Sequence, residues 1–156
     1  METKSRFWKE RLNVTELKEF LKKYPNTSGV EVMMPDNNGI IRGKRVDIHE
    51  AESLFEKGLN FCAATPLLDS GGDVIDGLIL GSDDGDPDIF GHPVDGSLAP
   101  VPWLEKEMAQ VLLTLVDKEG NAYPHEARNV LSRVVQKLAD DDLHATIAVE
   151  LEFYLY

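Results

Sequence analysis

The feature that most constrains the fold is a predicted β-hairpin that leads directly into a helix. Apolar residues alternate with other residues over 30–34, which predicts a strand with one buried face. The Asn-Asn-Gly triplet at 37–39 predicts a tight turn, and a second strand follows over 40–46. A helix is predicted next, with Asp47 as its N-cap and Gly58 just beyond its last turn.

Two regions flank this unit. Before it, residues 14–25 predict an amphipathic helix that ends at Pro25, and Asn13 and Glu16 form a capping-box pattern at its start. After it, residues 59–103 are rich in Gly, Pro and Asp. This second region is interpreted as functional loops with short strands near residues 78–80, 89–90 and 97–100.

The last third of the chain predicts a strand, a helix and a final strand. Residues 109–116 are continuously apolar apart from two positions and are followed by a turn at 118–120. A third helix is predicted over 124–142, and a final strand over 143–156. The residues predicted to form the buried face of the third helix are Val130, Leu131, Val134, Val135 and Leu138.

The order of these elements predicts the fold class. A hairpin, then a helix, then further strands is the order of a β-grasp unit, in which a mixed sheet curls around one helix. The sequence therefore predicts an α+β fold with a β-grasp-like mixed sheet packed on a helix. The order of elements alone does not identify a function.

Charge and cysteine content exclude several classes of protein. The chain has 16 Lys and Arg against 28 Asp and Glu, a formal net charge of −12, which disfavours nucleic acid and anionic membranes as partners. Cys62 is the single cysteine, so neither a disulfide framework nor a cysteine zinc site is expected. We expect a cytoplasmic protein without a signal peptide or a membrane span.

The sequence does not match the common short motifs for calcium binding, nucleotide binding or histidine-based metal binding. The acidic stretch at residues 83–88 has the aspartate spacing of a calcium loop, but Ile89 stands where that loop needs glycine. The glycine-rich stretches match neither of the common nucleotide-binding spacings. Surface or core roles are expected for the histidines, which lack the spacing of a metal-binding helix: His49, His92, His125 and His144.

The final predicted strand carries the strongest candidate for chemistry. Its alternation places Glu150 and Glu152 on one face, with Cα atoms about 6.5–7 Å apart, and apolar side chains on the other. Two carboxylates at that spacing can each hold a divalent cation, and Mg²⁺ and Mn²⁺ prefer oxygen ligands. Further ligands must come from elsewhere. Taken alone, the same pattern also fits a strand edge that faces solvent.

Several blocks in their order carry a family resemblance. These are VEVMMPDNNGIIRGKRV from Val30, DPDIFGHPVDGSLAPVPW from Asp86, AQVLLTLVDKEGN from Ala109, a helix, and VELEFYLY from Val149. Together they resemble the front part of a glutamine synthetase-family enzyme. The PDNNGIIRGKR block is similar to the branch that joins glutamate to larger amines, such as the γ-glutamylputrescine synthetases.

The resemblance implies an organisation and a chemistry. We expect an N-terminal helical segment over 1–25, a β-grasp domain over 26–118, and the first helix and strand of a truncated catalytic domain over 119–156. Family members form homo-oligomeric rings in which the β-grasp domain of one subunit helps to close a neighbour's active site. They use ATP and Mg²⁺ or Mn²⁺ to convert glutamate to γ-glutamyl phosphate, from which an amine displaces phosphate. In the family motif, the glutamates that match Glu150 and Glu152 bind different metal ions.

Two departures from the family pattern matter. True glutamine synthetases carry Phe-Asp-Gly-Ser-Ser in a loop between subunits, and its aspartate binds ammonium. Here Phe61 is followed by Cys62, Ala63 and Ala64, which offer no carboxylate. The resemblance therefore favours a γ-glutamyl–amine ligase over glutamine synthetase proper. A slighter difference, Glu126 where aspartate is usual, is expected to affect helix capping more than chemistry. The second departure is length, because everything that follows the first catalytic strand in the family is missing, and the resemblance therefore implies a truncated protein.

Three functional hypotheses remain open from the sequence. The first is the N-terminal part of a ligase, without catalytic activity in isolation and without a tightly bound cofactor. The second is a self-standing β-grasp interaction module that pairs through its sheet edge. The third is a small metal-binding protein that uses Glu150, Glu152 and the acidic loop at residues 83–88.

Overall fold

The computed structural model describes residues 14–77, 85 and 87–156. Asn13, the predicted strand near residues 78–80 and half of the acidic stretch, residues 83, 84 and 86, lie outside the described residues. The elements, in chain order, are α1 (Val14–Lys23), β1 (Gly29–Pro35), β2 (Ile41–Asp47), α2 (Ile48–Lys57), β3 (Leu59–Cys62), a 3₁₀ turn (Thr65–Leu67), β4 (Asp88–Pro93), β5 (Ala99–Val101), β6 (Met108–Val116) and α3 (Ala127–Asp140).

The described strands form one mixed sheet in the order β2-β1-β6-β4-β3, with β5 also paired to β6. The hairpin pairs antiparallel in a register that runs from Gly29 opposite Asp47 to Pro35 opposite Ile41. β1 and β6 pair in parallel, and the remaining pairs are antiparallel. Because β1 and β6 are distant in sequence but pair in the centre of the sheet, the described strands form one structural unit. The predicted α+β, β-grasp-like fold class is confirmed.

The apolar alternation of the sequence builds the core as predicted. Val30, Val32 and Met34 on β1 are buried, and so are alternate residues of β6. α2 lies against the sheet through buried side chains at Ala51, Leu54 and Phe55. The Asp47 carboxylate accepts a hydrogen bond from the His49 amide at 2.9 Å as the predicted N-cap. Gly58 ends the helix at a φ of 76°, which favours glycine.

Three predictions for the fold are incomplete or wrong. β3 lies within a region that was interpreted as loop, and it pairs with β4. The apolar face of α3 is not buried: Val130, Leu131, Val134 and Val135 are exposed, and Leu138 is half-buried. Residues 143–156 form no strand, and their apolar side chains are exposed as well.

The corrections for α3 and for residues 143–156 share a physical reason. Apolar periodicity identifies the face of an element that is suited to burial, but burial also requires a packing partner. The described part of the chain provides a partner for α2 and none for the apolar face of α3. Among the described residues, no helix is long and apolar enough to cross a bilayer.

Candidate functional site

The first candidate site is residues 61–64, called here the 61–64 segment, at the end of β3. Phe61, Ala63 and Ala64 are buried. Cys62 is half-buried. The β3–β4 register places Asp88 directly opposite Cys62. Directly opposed residues in an antiparallel pair project on the same face of a sheet, so an exposed carboxylate lies beside the thiol.

Hydrogen bonds fix the backbone of the segment from two sides. The Ala63 amide donates to the Pro87 carbonyl at 2.8 Å. The Tyr123 hydroxyl donates to the Ala63 carbonyl at 2.8 Å, across a long sequence separation. The Ala64 amide lies 3.4 Å from Cys62 Sγ, within hydrogen-bonding distance for sulfur. The residues around β4 and the connection from β6 to α3 therefore both hold the segment in place.

A cationic side chain flanks the segment on the β2 side. Lys44 Nζ donates to the Asn60 carbonyl at 3.2 Å and lies 5.0 Å from the centroid of the Phe61 ring. Such placement adds a cation–π attraction to the hydrogen bond. Asn60 Nδ2 also donates to Asp88 Oδ2 at 3.4 Å. The segment thus lies between a lysine ammonium on one strand and an aspartate carboxylate on another.

A buried carboxylate organises the hairpin turn next to this site. Asp36 is 2% exposed, and its Oδ1 accepts hydrogen bonds from the Asn38 and Ile40 amides at 2.8 and 2.9 Å. Its Oδ2 accepts from Arg42 Nε at 2.9 Å. Burial acts to raise the pKa of Asp36, but these hydrogen bonds and the Arg42 charge outweigh it and hold the pKa below its usual value. Asp36 is therefore charged at neutral pH.

The second candidate site, Glu150 and Glu152, is not assembled in the same way. Both side chains are exposed, and the residues around them are not paired into the sheet. Within the described ranges, no group of three or more His, Cys, Asp or Glu is arranged to hold a metal ion. The structure therefore does not combine Glu150 and Glu152 with the buried 61–64 segment.

Sequence reasoning missed a polar cluster where β6 meets α3. Glu126 is buried, and its Oε2 accepts hydrogen bonds from the Leu115 amide at 3.0 Å and from Thr114 Oγ1 at 3.1 Å. Burial raises the pKa of Glu126, and these hydrogen bonds only partly oppose the rise. Asn129 Nδ2 donates to the Leu115 and Tyr123 carbonyls at 2.8 and 3.1 Å.

This cluster corrects the interpretation of Glu126 as a capping residue. Glu126 occupies the N-cap position of α3, but its side chain makes no capping hydrogen bond. It points back to β6 instead. The available signal was the spacing of Glu126 and Asn129, because residues three apart lie on the same face of a helix.

Over most of its length the chain is similar to one group of curated enzymes. The chain is 43% identical over 140 residues to the γ-glutamylputrescine synthetase of Escherichia coli, covering 90% of this chain and 29% of that enzyme. It is 30% identical over 147 residues to the glutamate–isopropylamine ligase of a Pseudomonas species, covering 91% of this chain and 31% of that one. It is 30% identical over 145 residues to the glutamine synthetase of Pyrococcus abyssi, covering 93% of this chain and 29% of that enzyme. No protein-family model matches.

Solved structures give the same fold. A novel glutamine synthase homolog aligns with a TM-score of 0.64 at 20% identity, over 74% of this chain and 27% of that one. A GmaS/ADP complex aligns with a TM-score of 0.61 at 21% identity, over 83% of this chain and 26% of that one. The chain therefore spans between a quarter and a third of the length of these relatives.

Proposed function

We propose that this chain, which belongs to the glutamine synthetase family, supplies the N-terminal part of an ATP-dependent ligase that joins glutamate to an amine. The proposed reaction activates glutamate as γ-glutamyl phosphate, which the amine then attacks. The proposed division of the chain is a helical segment over 1–25, a β-grasp domain over 26–118 and the start of a catalytic domain over 119–156. Homo-oligomeric assembly and a cytoplasmic setting belong to the same proposal.

The observation that carries the choice of amine over ammonia is the 61–64 segment. It holds a neutral, half-buried thiol where the resemblance expects the aspartate that binds ammonium. A thiol does not hold a small cation as a carboxylate does. The carboxylate that the register places beside Cys62 is Asp88, which comes from the neighbouring strand. A carboxylate displaced to β4 suits the cationic group of a larger amine better than it suits ammonium.

The same geometry gives each residue a proposed task. Asp88 attracts the cationic amine, and the Lys44 ammonium on the other flank limits how far this attraction extends. Phe61 is buried in the core and anchors the segment there. The hydrogen bonds of Ala63 to Pro87 and Tyr123 keep the segment in place while the amine approaches.

Glu150 and Glu152 fit divalent cations, because both are exposed carboxylates of the kind that Mg²⁺ and Mn²⁺ prefer. When bound, these ions supply positive charge that offsets the charge of nucleotide phosphates. Two glutamates provide too few oxygens for a complete site, so we propose that the 156 residues alone bind metal weakly and have no ligase activity.

Amine preference tests this proposal. The test protein is a chimera in which this chain replaces the matching N-terminal stretch of the E. coli γ-glutamylputrescine synthetase. We expect phosphate release that depends on glutamate and on an alkylamine or diamine, with ammonium a poor substrate. Cys62→Asp should shift the preference towards ammonium, and Cys62→Ser serves as the matched neutral control. A chimera that uses ammonium better than every alkylamine would instead support glutamine synthetase proper.

A further inference from the structure

We propose that Asp36, Asn38 and Arg42 of the hairpin are positioning residues that hold the 61–64 segment in its working conformation. This inference rests on the proposed function only for the segment's role in amine binding. The clamp itself follows from hydrogen bonds between the hairpin and residues 66–69, which directly follow the segment. We refer to these contacts as the hairpin clamp.

The clamp consists of hydrogen bonds from the hairpin to three backbone carbonyls within a stretch of four residues, 66–69. The Asn37 amide donates to the Pro66 carbonyl at 3.0 Å, and Asn38 Nδ2 donates to the Leu68 carbonyl at 2.7 Å. Arg42 Nη2 donates to the Asp69 carbonyl at 3.1 Å. Because the acceptors are backbone carbonyls that lie close together in sequence, these hydrogen bonds fix the path of the backbone and not only the position of one side chain.

The clamp is connected directly to the 61–64 segment. The Leu67 amide donates to the Ala64 carbonyl at 2.8 Å, which closes the 3₁₀ turn between the segment and the clamped carbonyls. Pro66 is buried within this turn. On the other side of the segment, Lys44 donates to the Asn60 carbonyl at 3.2 Å. Residues of one hairpin therefore hold the chain immediately before and after the 61–64 segment.

Arg42 can bridge to the loop because Asp36 fixes its direction. The Arg42 side chain is 23% exposed, and the Asp36 side chain is fully buried. Asp36 holds Arg42 Nε, which leaves the outer nitrogens of the guanidinium to reach the Asp69 carbonyl. A guanidinium presents several donors in a fixed plane, whereas a lysine ammonium is a single point charge. The geometry therefore requires arginine specifically at this position.

Cys62 provides a direct readout of the clamp, because it is the only cysteine in the chain and is half-buried. The experiment measures the rate at which Cys62 reacts with an aromatic disulfide reagent in the folded 156-residue protein. We expect Arg42→Gln to raise this rate about tenfold, since it removes a charge-assisted bridge and increases local opening. Arg45→Gln is the matched control on the same strand, because Arg45 pairs with Glu31 at an exposed site.

Hydrogen exchange separates local release from general loss of stability. In Arg42→Gln, we expect exchange at the amides of Ala63, Leu67 and Asp69 to accelerate more than exchange at β1 and β6. Arg42→Lys should recover only part of the protection, because one nitrogen cannot reach both Asp36 and Asp69. Asn38→Ala removes a single exposed hydrogen bond and should raise the rate about threefold. Asn38→Ala thus tests the clamp even if Arg42→Gln does not fold.

The clamp is refuted if Cys62 reacts at the wild-type rate in Arg42→Gln and in Asn38→Ala. Full recovery by Arg42→Lys would also contradict it, because charge alone would then suffice. These outcomes are independent of amine preference in the chimera. A responsive Cys62 together with a preference for ammonium would leave the clamp standing and overturn the proposed function.

Discussion

The β-grasp region and the α3 region both have apolar patterns that predict a buried face, but they differ in whether another element covers that face. Leu113 on β6 is fully buried, whereas Leu131 on α3 is 56% exposed. The sheet buries its apolar residues against α2 because both elements belong to one unit. α3 and residues 143–156 have amphipathic patterns whose apolar sides remain exposed in this chain. An exposed apolar surface of this extent is typical of an interface.

The two regions also differ in how they bury a carboxylate. Hydrogen bonds and Arg42 satisfy both oxygens of Asp36 in the hairpin. At the start of α3, Glu126 is equally buried, but its Oε1 has no hydrogen-bond partner among the residues that the structure describes. The pKa of Asp36 is lowered and that of Glu126 is raised. The first carboxylate is therefore stabilised as a charge, and the second is not.

The largest expected contrast is in core truncation. Phe55 is 1% exposed and packs between α2 and the sheet, so Phe55→Ala should lower the free energy of unfolding by about 3–5 kcal/mol. Leu131→Ala removes a side chain that already faces solvent and should change the free energy of unfolding by less than about 0.5 kcal/mol. Urea unfolding of both variants measures the contrast. Similar losses would show that the apolar face of α3 is covered in solution.

The next contrast concerns the satisfied carboxylate. Asp36→Ala leaves Arg42 without its partner and should cost about 2–3 kcal/mol at pH 7. Because the pKa of folded Asp36 is lowered, the stability that it contributes is fully present above its unfolded pKa of about 3.8. That contribution is lost as the pH falls through the lowered value.

Urea unfolding measured at several pH values tests the direction of this pH dependence. The difference between wild type and Asp36→Ala should narrow as the solution is acidified below pH ~4. Glu31→Gln is the control, because Glu31 pairs with Arg45 at the surface and should cost less than about 1 kcal/mol. A difference that stays constant with pH would contradict the charged state of Asp36.

Glu126 should show the opposite pH dependence with a smaller magnitude. Its folded pKa is raised, so the stability linked to its protonation is fully present below the unfolded value and lost as the pH rises through the folded pKa. Glu126→Gln keeps an oxygen for Thr114 and Leu115 and removes the buried charge. We expect it to stabilise the protein by about 1 kcal/mol at neutral pH. Glu119→Gln, at an exposed turn, is the matched control.

The smallest expected effect on stability is at the two exposed glutamates. Glu150→Ala and Glu152→Ala should each change the free energy of unfolding by less than about 0.5 kcal/mol. Calorimetric titration of the wild-type chain with Mn²⁺ should show weak binding that either substitution reduces further. Tight binding that survives both substitutions would assign the metal site to other residues.

The elements that could be predicted from the sequence are those whose signals lie within a few residues of one another. The hairpin and α2 were predicted because alternation, a glycine turn, Asp47 and Gly58 each act within a few residues. β3 was missed because it is short, contains the polar Asn60, and forms only by pairing with β4. Its pairing partner is distant in sequence, so no local pattern identifies it.

The candidate site follows the same division. Glu150 and Glu152 could be identified from the alternation of a predicted strand, although residues 143–156 form no strand in this structure. The register that places Asp88 opposite Cys62 and the hydrogen bond from Tyr123 to Ala63 depend on tertiary packing. The hairpin clamp likewise joins Arg42 to a loop far along the chain. The resemblance could identify the 61–64 segment but not the contacts that hold it.

The most direct test of the account is glutamate- and amine-dependent phosphate release by the chimera at limiting Mg²⁺. We predict activity with alkylamines or diamines that falls by at least about tenfold in Glu150→Ala and in Glu152→Ala, while the chimera stays folded. Full activity in either variant at limiting Mg²⁺ would contradict the assignment of these glutamates as metal ligands.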